Sequence, residues 1–337
     1  MTGGIIRVIQ RWRDLTISLV ATLILVSTSG GKANAQAENI NAYPSRPIHI
    51  VAAAAPGGTM DVVSRLIGQK LTESLGQPII IDNKPGAATI IGTEFVARAP
   101  ADGYTLLMAP LSSISVNPAV YPKLSYGASD FAPISMVGAY PFILAVTNSA
   151  PVKDVRELIA YTKAHPEKAN AGGATVAFQL MTELFKQRTG APIQYIPYKG
   201  MSELAVGLLS GELLTSFVTA TTASLISSGK IRALAVASPS RIASFPDLPT
   251  LTEAGVPGMD GVSWVGLVAP ARTPAPIIKK LEGEVVRIVK MPDIQTKLRL
   301  EELDPIGDTA AEFARAIAED TVTWAAVAKA AHISLDP

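Results

Sequence analysis

The stretch 48–81 constrains this chain most. Ile48-His49-Ile50-Val51 reads as a buried strand, and Ala55-Pro56-Gly57-Gly58-Thr59 as a sharp turn. From Asp61 to Leu75 the apolar residues fall at 62, 63, 66, 67, 71 and 75, which is helical spacing, and Gly76 closes the helix. Pro78 to Ile81 is a second strand. Strand, glycine loop, helix, strand is one βαβ unit, expected to be right-handed with parallel strands. It places the chain in the α/β class.

The alternation continues. Gly92 to Arg98 is a predicted helix, and Tyr104 to Met108 a strand followed by the loop Ala109-Pro110-Leu111-Ser112-Ser113. Phe142 to Val146 is a strand, and Val155 to Ala164 a helix stopped before Pro166. Near 170 the first motif is echoed: Asn170 to Thr175 as a flexible glycine loop, then an amphipathic helix from Ala177 to Arg188 closed by Gly190. Ile193 to Ile196 is a strand, Tyr198-Lys199-Gly200 a turn, Leu204 to Ser210 a helix and Ile231 to Val236 a strand. The Pro- and Gly-rich region 238–262 reads as connecting loops before a strand from Ser263 to Val268. Thr273-Pro274 predicts a helix start with Thr as N-cap and Pro at N1. Thr309 and Glu312 form a capping box for a last helix with Phe313, Ile317, Trp324 and Val327 on its apolar face. A chain of 337 residues suits two domains better than one core.

Several function classes are disfavoured. The formal charge is +1, which offers no basic stripe for nucleic acid. Cysteine is absent, and His49, His165 and His332 have no metal-ligand spacing, so neither a metal nor a cofactor is expected. Gly261-Val262-Ser263-Trp264-Val265-Gly266 is one residue too long for a nucleophile elbow and precedes a strand. Ser228-Gly229-Lys230 lacks the rest of a phosphate loop. No catalytic residue is assigned. Residues 1–35 read as a cleavable Sec signal peptide: Arg7, Arg11 and Arg13, an apolar run from Leu15 to Val26, then Ala33-Asn34-Ala35. Trp12 between Arg11 and Arg13 argues against a twin-arginine signal, and the polar residues 36–46 read as a loose leader. The expected location is the periplasm.

The loops at 55–60 and 171–175 share one chemistry. A glycine turn before a helix lets a ligand approach the backbone, and the first-turn amides favour an anion such as a carboxylate. Such turns also occur as plain βα corners, so the pattern alone leaves both readings open.

A resemblance rests on further residues. Tyr43-Pro44-Ser45-Arg46-Pro47-Ile48 with Ala55-Pro56-Gly57-Gly58 and Asp61 resembles the start of the mature Bug proteins, the TctC-like substrate-binding components of tripartite tricarboxylate transporters. Asp82-Asn83-Lys84-Pro85-Gly86-Ala87, Ala101-Asp102-Gly103-Tyr104-Thr105-Leu106, Asp130-Phe131-Ala132-Pro133 and Pro197-Tyr198-Lys199-Gly200 follow in the family's order. So do Gly229-Lys230-Ile231-Arg232-Ala233-Leu234-Ala235, Pro246-Asp247-Leu248-Pro249-Thr250 and Ser263-Trp264-Val265-Gly266-Leu267.

The resemblance implies a two-domain periplasmic-binding-protein clamp, type II-like, with hinge strands. Domain 1 would comprise 36–140 plus 261–337, and domain 2 residues 141–260. A small organic acid would be held in the cleft by Pro56, Gly57, Gly58, Thr59 and Asp61 from one side and Gly173, Ala174 and Thr175 from the other. Ser112 and Ser113 would add hydroxyls, with Tyr198 and Trp264 near the cleft. The chain would be a monomer that delivers its ligand to the membrane components of a tripartite tricarboxylate transporter. A sensor module for a membrane kinase is the alternative, and an enzyme on this scaffold a weaker one. The chain departs from the family at Ala54, Gln179, Gly207 and Val218, where bulk or polarity is missing; the expectation is a roomier pocket for an aromatic or longer acid.

Overall fold

The computed structural model describes residues 42–335 except 174, 199, 200, 220, 221, 243 and 260. The predicted signal peptide lies outside the described residues, as does Ala174.

The opening βαβ unit forms as its sequence predicts. Strand β1 (Ile48–Ala52) pairs in parallel with β2 (Ile79–Asn83) and with β3 (Thr105–Pro110). Helix α1 (Thr59–Leu75) crosses between β1 and β2 and buries Met60, Val63, Leu66, Ile67 and Leu71, a stripe at three- and four-residue spacing. Gly76, at φ 69°, ends α1 by donating its N–H to the Thr72 carbonyl. Helix α2 (Ile90–Ala97) leads to β3. After β3 comes a π-helical turn, Ser112–Val116, which runs into the short α3 (Asn117–Val120).

Strand β4 (Phe131–Thr147) is far longer than the predicted 142–146. Pro133, Gly138 and Pro141 argue against a long strand in sequence. The structure absorbs the first two with register shifts against β9 (Val262–Pro270) between Pro133 and Ser135 and between Met136 and Gly138. Pro141 is the last β4 residue paired with β9, and from Phe142 onward β4 pairs instead with β7 (Thr215–Val218) and β8 (Ile231–Ala237).

Between these lie α4 (Val155–Ala164), β5 (Asn170–Gly173), α5 (Val176–Thr189), β6 (Gln194–Pro197), α6 (Met201–Ser210) and α7 (Ala223–Ser227). Helix α4 has its predicted bounds, and Asp154 caps it by accepting the Glu157 amide at 2.8 Å. The predicted loop at 170–173 is instead a strand, parallel to β6 and β7. After β9 come α8 (Ala275–Val289), α9 (Pro292–Leu300), β10 (Asp304–Pro305) and α10 (Ala310–Ala330). Thr273 does not cap α8; the helix begins at Ala275, with Pro274 as its N-cap. The capping box of α10 forms as read: Glu312 donates its amide to Thr309 Oγ1 at 3.2 Å, and the Thr309 amide reaches Glu312 Oε2 at 2.9 Å.

Among the described residues the strand order is β2-β1-β3-β9-β4-β7-β5-β6, with β8 and β10 also on β4. Two sheet halves therefore share one strand. The period-2 alternation of β4 serves two apolar clusters: Phe142, Leu144 and Val146 join one, and Ile143 and Ala145 the other. Each large side chain so buried contributes roughly 1.5–3 kcal/mol.

Candidate functional site

The turn between β1 and α1 is held from below. Gly57 sits at φ 82° and donates its amide to Asp61 Oδ2 at 2.9 Å. The other oxygen of Asp61 accepts from Asn83 Nδ2 at 3.0 Å and pairs with Arg65 at 2.8 Å. The Arg65 guanidinium hydrogen-bonded to it holds the Asp61 carboxyl below the usual range. Asp61 is thus a brace for the turn. Gly58 is the N-cap of α1 and supplies no side-chain cap. Helix geometry leaves the first-turn amides of Thr59 and Met60 without an acceptor inside the helix.

A second helix start is built in the other half. Gly173 ends β5 where an added Cβ would lie 2.6 Å from the Tyr195 hydroxyl and 2.7 Å from Phe178 Cβ. This close approach lets Tyr195 donate to the Gly173 carbonyl at 3.0 Å, and burial pushes the Tyr195 phenol up to about 12. Thr175 is the extended N-cap of α5, and its hydroxyl makes no cap bond.

A cavity of about 280 Å³ lies between these two starts. Thr59, Pro110 and Ser112 border it from one sheet half, and Thr175, Ala177, Phe178, Met201 and Thr219 from the other. Tyr140, Phe142 and Ser263, on the strands that join the halves, also line it. Burial pushes the Tyr140 phenol up, opposed by a hydrogen bond with Ser263. Glu301 and Glu302 complete the wall. Glu302 follows α9 at φ 62°, donating its amide to the Arg299 carbonyl at 3.0 Å while the Leu303 amide reaches the Leu298 carbonyl at 2.9 Å. That is a Schellman closure with glutamate in the position glycine usually fills, a left-handed conformation that costs an L-residue about 1–2 kcal/mol.

Among the described residues no cluster of His, Cys, Asp or Glu is arranged to hold a metal, and no helix is long and apolar enough to cross a membrane.

The model of the "Tripartite tricarboxylate transporter family receptor" (TctC) matches residues 63–333. The chain belongs to this receptor family. Among curated relatives, BugT of Bordetella pertussis is 34% identical over 324 residues, covering 94% of this chain and 98% of that protein. Of solved structures, an R. palustris protein with adipate is 34% identical at a TM-score of 0.72, covering 87% of this chain and 99% of that one. The periplasmic binding protein BugD is 30% identical at a TM-score of 0.69, with 87% and 99% covered. The fold of this TctC-family chain is that of the periplasmic binding proteins.

Within the TctC-family chain the predicted residues divide. Thr59, Ser112 and Thr175 meet in one cavity. Pro56, Gly57 and Gly58 form the turn that leads into Thr59 and stand outside the cavity wall, while Asp61 is turned inward as a brace. Gly173 is buried and is not among the residues lining the cavity. Ser113 is fully buried and donates its hydroxyl to the Pro110 carbonyl at 2.9 Å, so it offers nothing to the cavity.

Trp264 is also fully buried; it packs edge-on to Phe313 at 4.9 Å and donates its indole N–H to Asp320 at 2.8 Å. Neighbours on a strand point to opposite faces. Ser263 faces the cavity, and Trp264 therefore cannot. Tyr198 packs over Gly172 and Gly207, where added Cβ atoms would meet it at 3.1 and 2.8 Å, and is absent from the cavity wall. The space missing a side chain at Gly207 is filled by Tyr198, not opened to a ligand. Sequence reading missed Tyr140, Phe142 and Ser263; the same alternation rule applied to β4 and β9 finds them. It also missed Glu301 and Glu302, for which no sequence signal stood out.

Proposed function

We propose that this chain is an exported periplasmic solute-binding protein that captures a small organic acid between its two sheet halves. It performs no chemistry on the acid and passes it to the membrane components of a tripartite tricarboxylate transporter. The observation that carries the reading is the pairing of two uncapped helix starts, Thr59 on α1 and Thr175 on α5, around one cavity with Ser112. Orphan amides and the positive helix ends favour a carboxylate there. The adipate-bearing relative supports the same ligand class.

The lobes are 36–140 with 261–337, and 141–260. Ligand binding draws them together about β4 and β9, and the closed form is what the membrane partner reads. The signal at 1–35 delivers the chain to the periplasm.

The test is a thermal-shift series comparing small carboxylates with their methyl esters. A ligand at a hundred times its Kd stabilises by about 2.7 kcal/mol. Acids that raise the Tm where their esters do not, and less so in Ser112→Ala, support the reading. Esters as effective as acids overturn it.

A further inference from the structure

The cavity of about 280 Å³ carries two opposed chemistries. Helix starts at Thr59 and Thr175 border it, and first-turn amides favour an anion, yet Glu301 and Glu302 stand in the same wall. No Lys, Arg or His is among the described lining residues. Neither glutamate has an ion-pair partner among the described residues. Both are half-buried. Burial, with Glu301 beside it, pushes the Glu302 carboxyl up.

Glu302 also occupies the left-handed position after α9 that glycine would take without strain. Backbone strain of this kind clusters at ligand sites. A second carboxylate on the ligand would meet these two acids with no described basic side chain to offset them. Among the described residues no side chain donates to these carboxylates, and an ammonium or amide group would.

We infer that Glu301 and Glu302 set ligand specificity by receiving a cationic or amide group, so that the preferred ligand is an acid carrying an amine or amide at its other end and not a dicarboxylate. This deepens the proposed function and rests on it.

The test uses probes matched in chain length. 6-Aminohexanoate, adipate and hexanoate, and 4-aminobutyrate, succinate and butyrate, are titrated calorimetrically into the purified protein. The amino acid of at least one set is expected to bind at least about tenfold tighter than its diacid, equivalent to about 1.4 kcal/mol. The double variant Glu301→Gln, Glu302→Gly should lose that advantage. Because glycine relieves the left-handed strain, Glu302→Gly alone should keep or raise the ligand-free Tm, which separates loss of preference from loss of fold. Diacids binding as tightly as amino acids, or an advantage that survives the double variant, overturn the inference and leave carboxylate binding standing. If none of the six probes binds, hexanoate and butyrate included, the carboxylate reading falls and the inference with it.

Discussion

Replacing Asp320 with Asn should stabilise this protein at neutral pH and not in acid. Asp320 lies on α10 with Oδ2 2.8 Å from the indole nitrogen of the buried Trp264. Burial pushes its carboxyl up from 3.8 to about 6, against the pull of the indole hydrogen bond, with Glu319 adding to the rise. Below about pH 4 the group is protonated in both folded and unfolded chains and carries no penalty. Between about pH 4 and 6 the folded chain keeps a proton that the unfolded chain releases, so stability falls as pH rises. Above about pH 6 the penalty is complete: the rise from 3.8 to about 6, at about 1.36 kcal/mol per pH unit, gives a ceiling of about 3 kcal/mol, and partial exposure reduces this to roughly 1–2 kcal/mol.

Asn keeps an oxygen for the indole and removes the titration. Asp320→Asn should therefore gain roughly 1–2 kcal/mol at pH 7.5, about half of that at pH 5, and almost nothing at pH 4. Urea unfolding at the three pH values reads this as a shift in midpoint at constant slope. A gain of the same size at every pH, or none at pH 7.5, refutes the reasoning. Asp308 gives a parallel case of the same sign: burial pushes it up to about 6 while it accepts the Met136 amide at 2.7 Å.

Gly173→Ala places a methyl 2.6 Å from the Tyr195 hydroxyl, and should destabilise the fold by about 1–3 kcal/mol and weaken ligand binding by displacing Thr175; an unchanged Tm with unchanged affinity argues against the close approach. Thr309→Ala removes the hydroxyl that receives the Glu312 amide and should cost about 1 kcal/mol in chemical unfolding with no change in ligand affinity.

Local signals in the sequence carried as far as local physics does. The corner 48–81 was legible because a period-3.6 stripe ends at a glycine in the left-handed region. The capping box at 309–312 was legible because both partners lie within one turn. Strand β4 was not, since Pro133, Gly138 and Pro141 break the usual pattern and only pairing with β9 and with β7 and β8 holds it extended. Nor was β5, whose Gly172 and Gly173 look like a turn until Leu204, Leu213, Tyr195 and Phe178 are seen to occupy the space that side chains would need. Of the site, the two helix starts were readable from turn chemistry. Trp264 misled because an aromatic draws attention while the strand's alternation, which sets its direction, passes unnoticed.

The shared strand β4 has a consequence for how such a molecule can be taken apart. Phe131–Pro141 is laddered to β9, and Phe142–Thr147 to β7 and β8. Any cut that frees one half strips the other of a central row of backbone partners, so neither half is a portable module. Heating should melt both together in one calorimetric peak, and grafting one lobe onto a relative's would require the seam to fall outside β4.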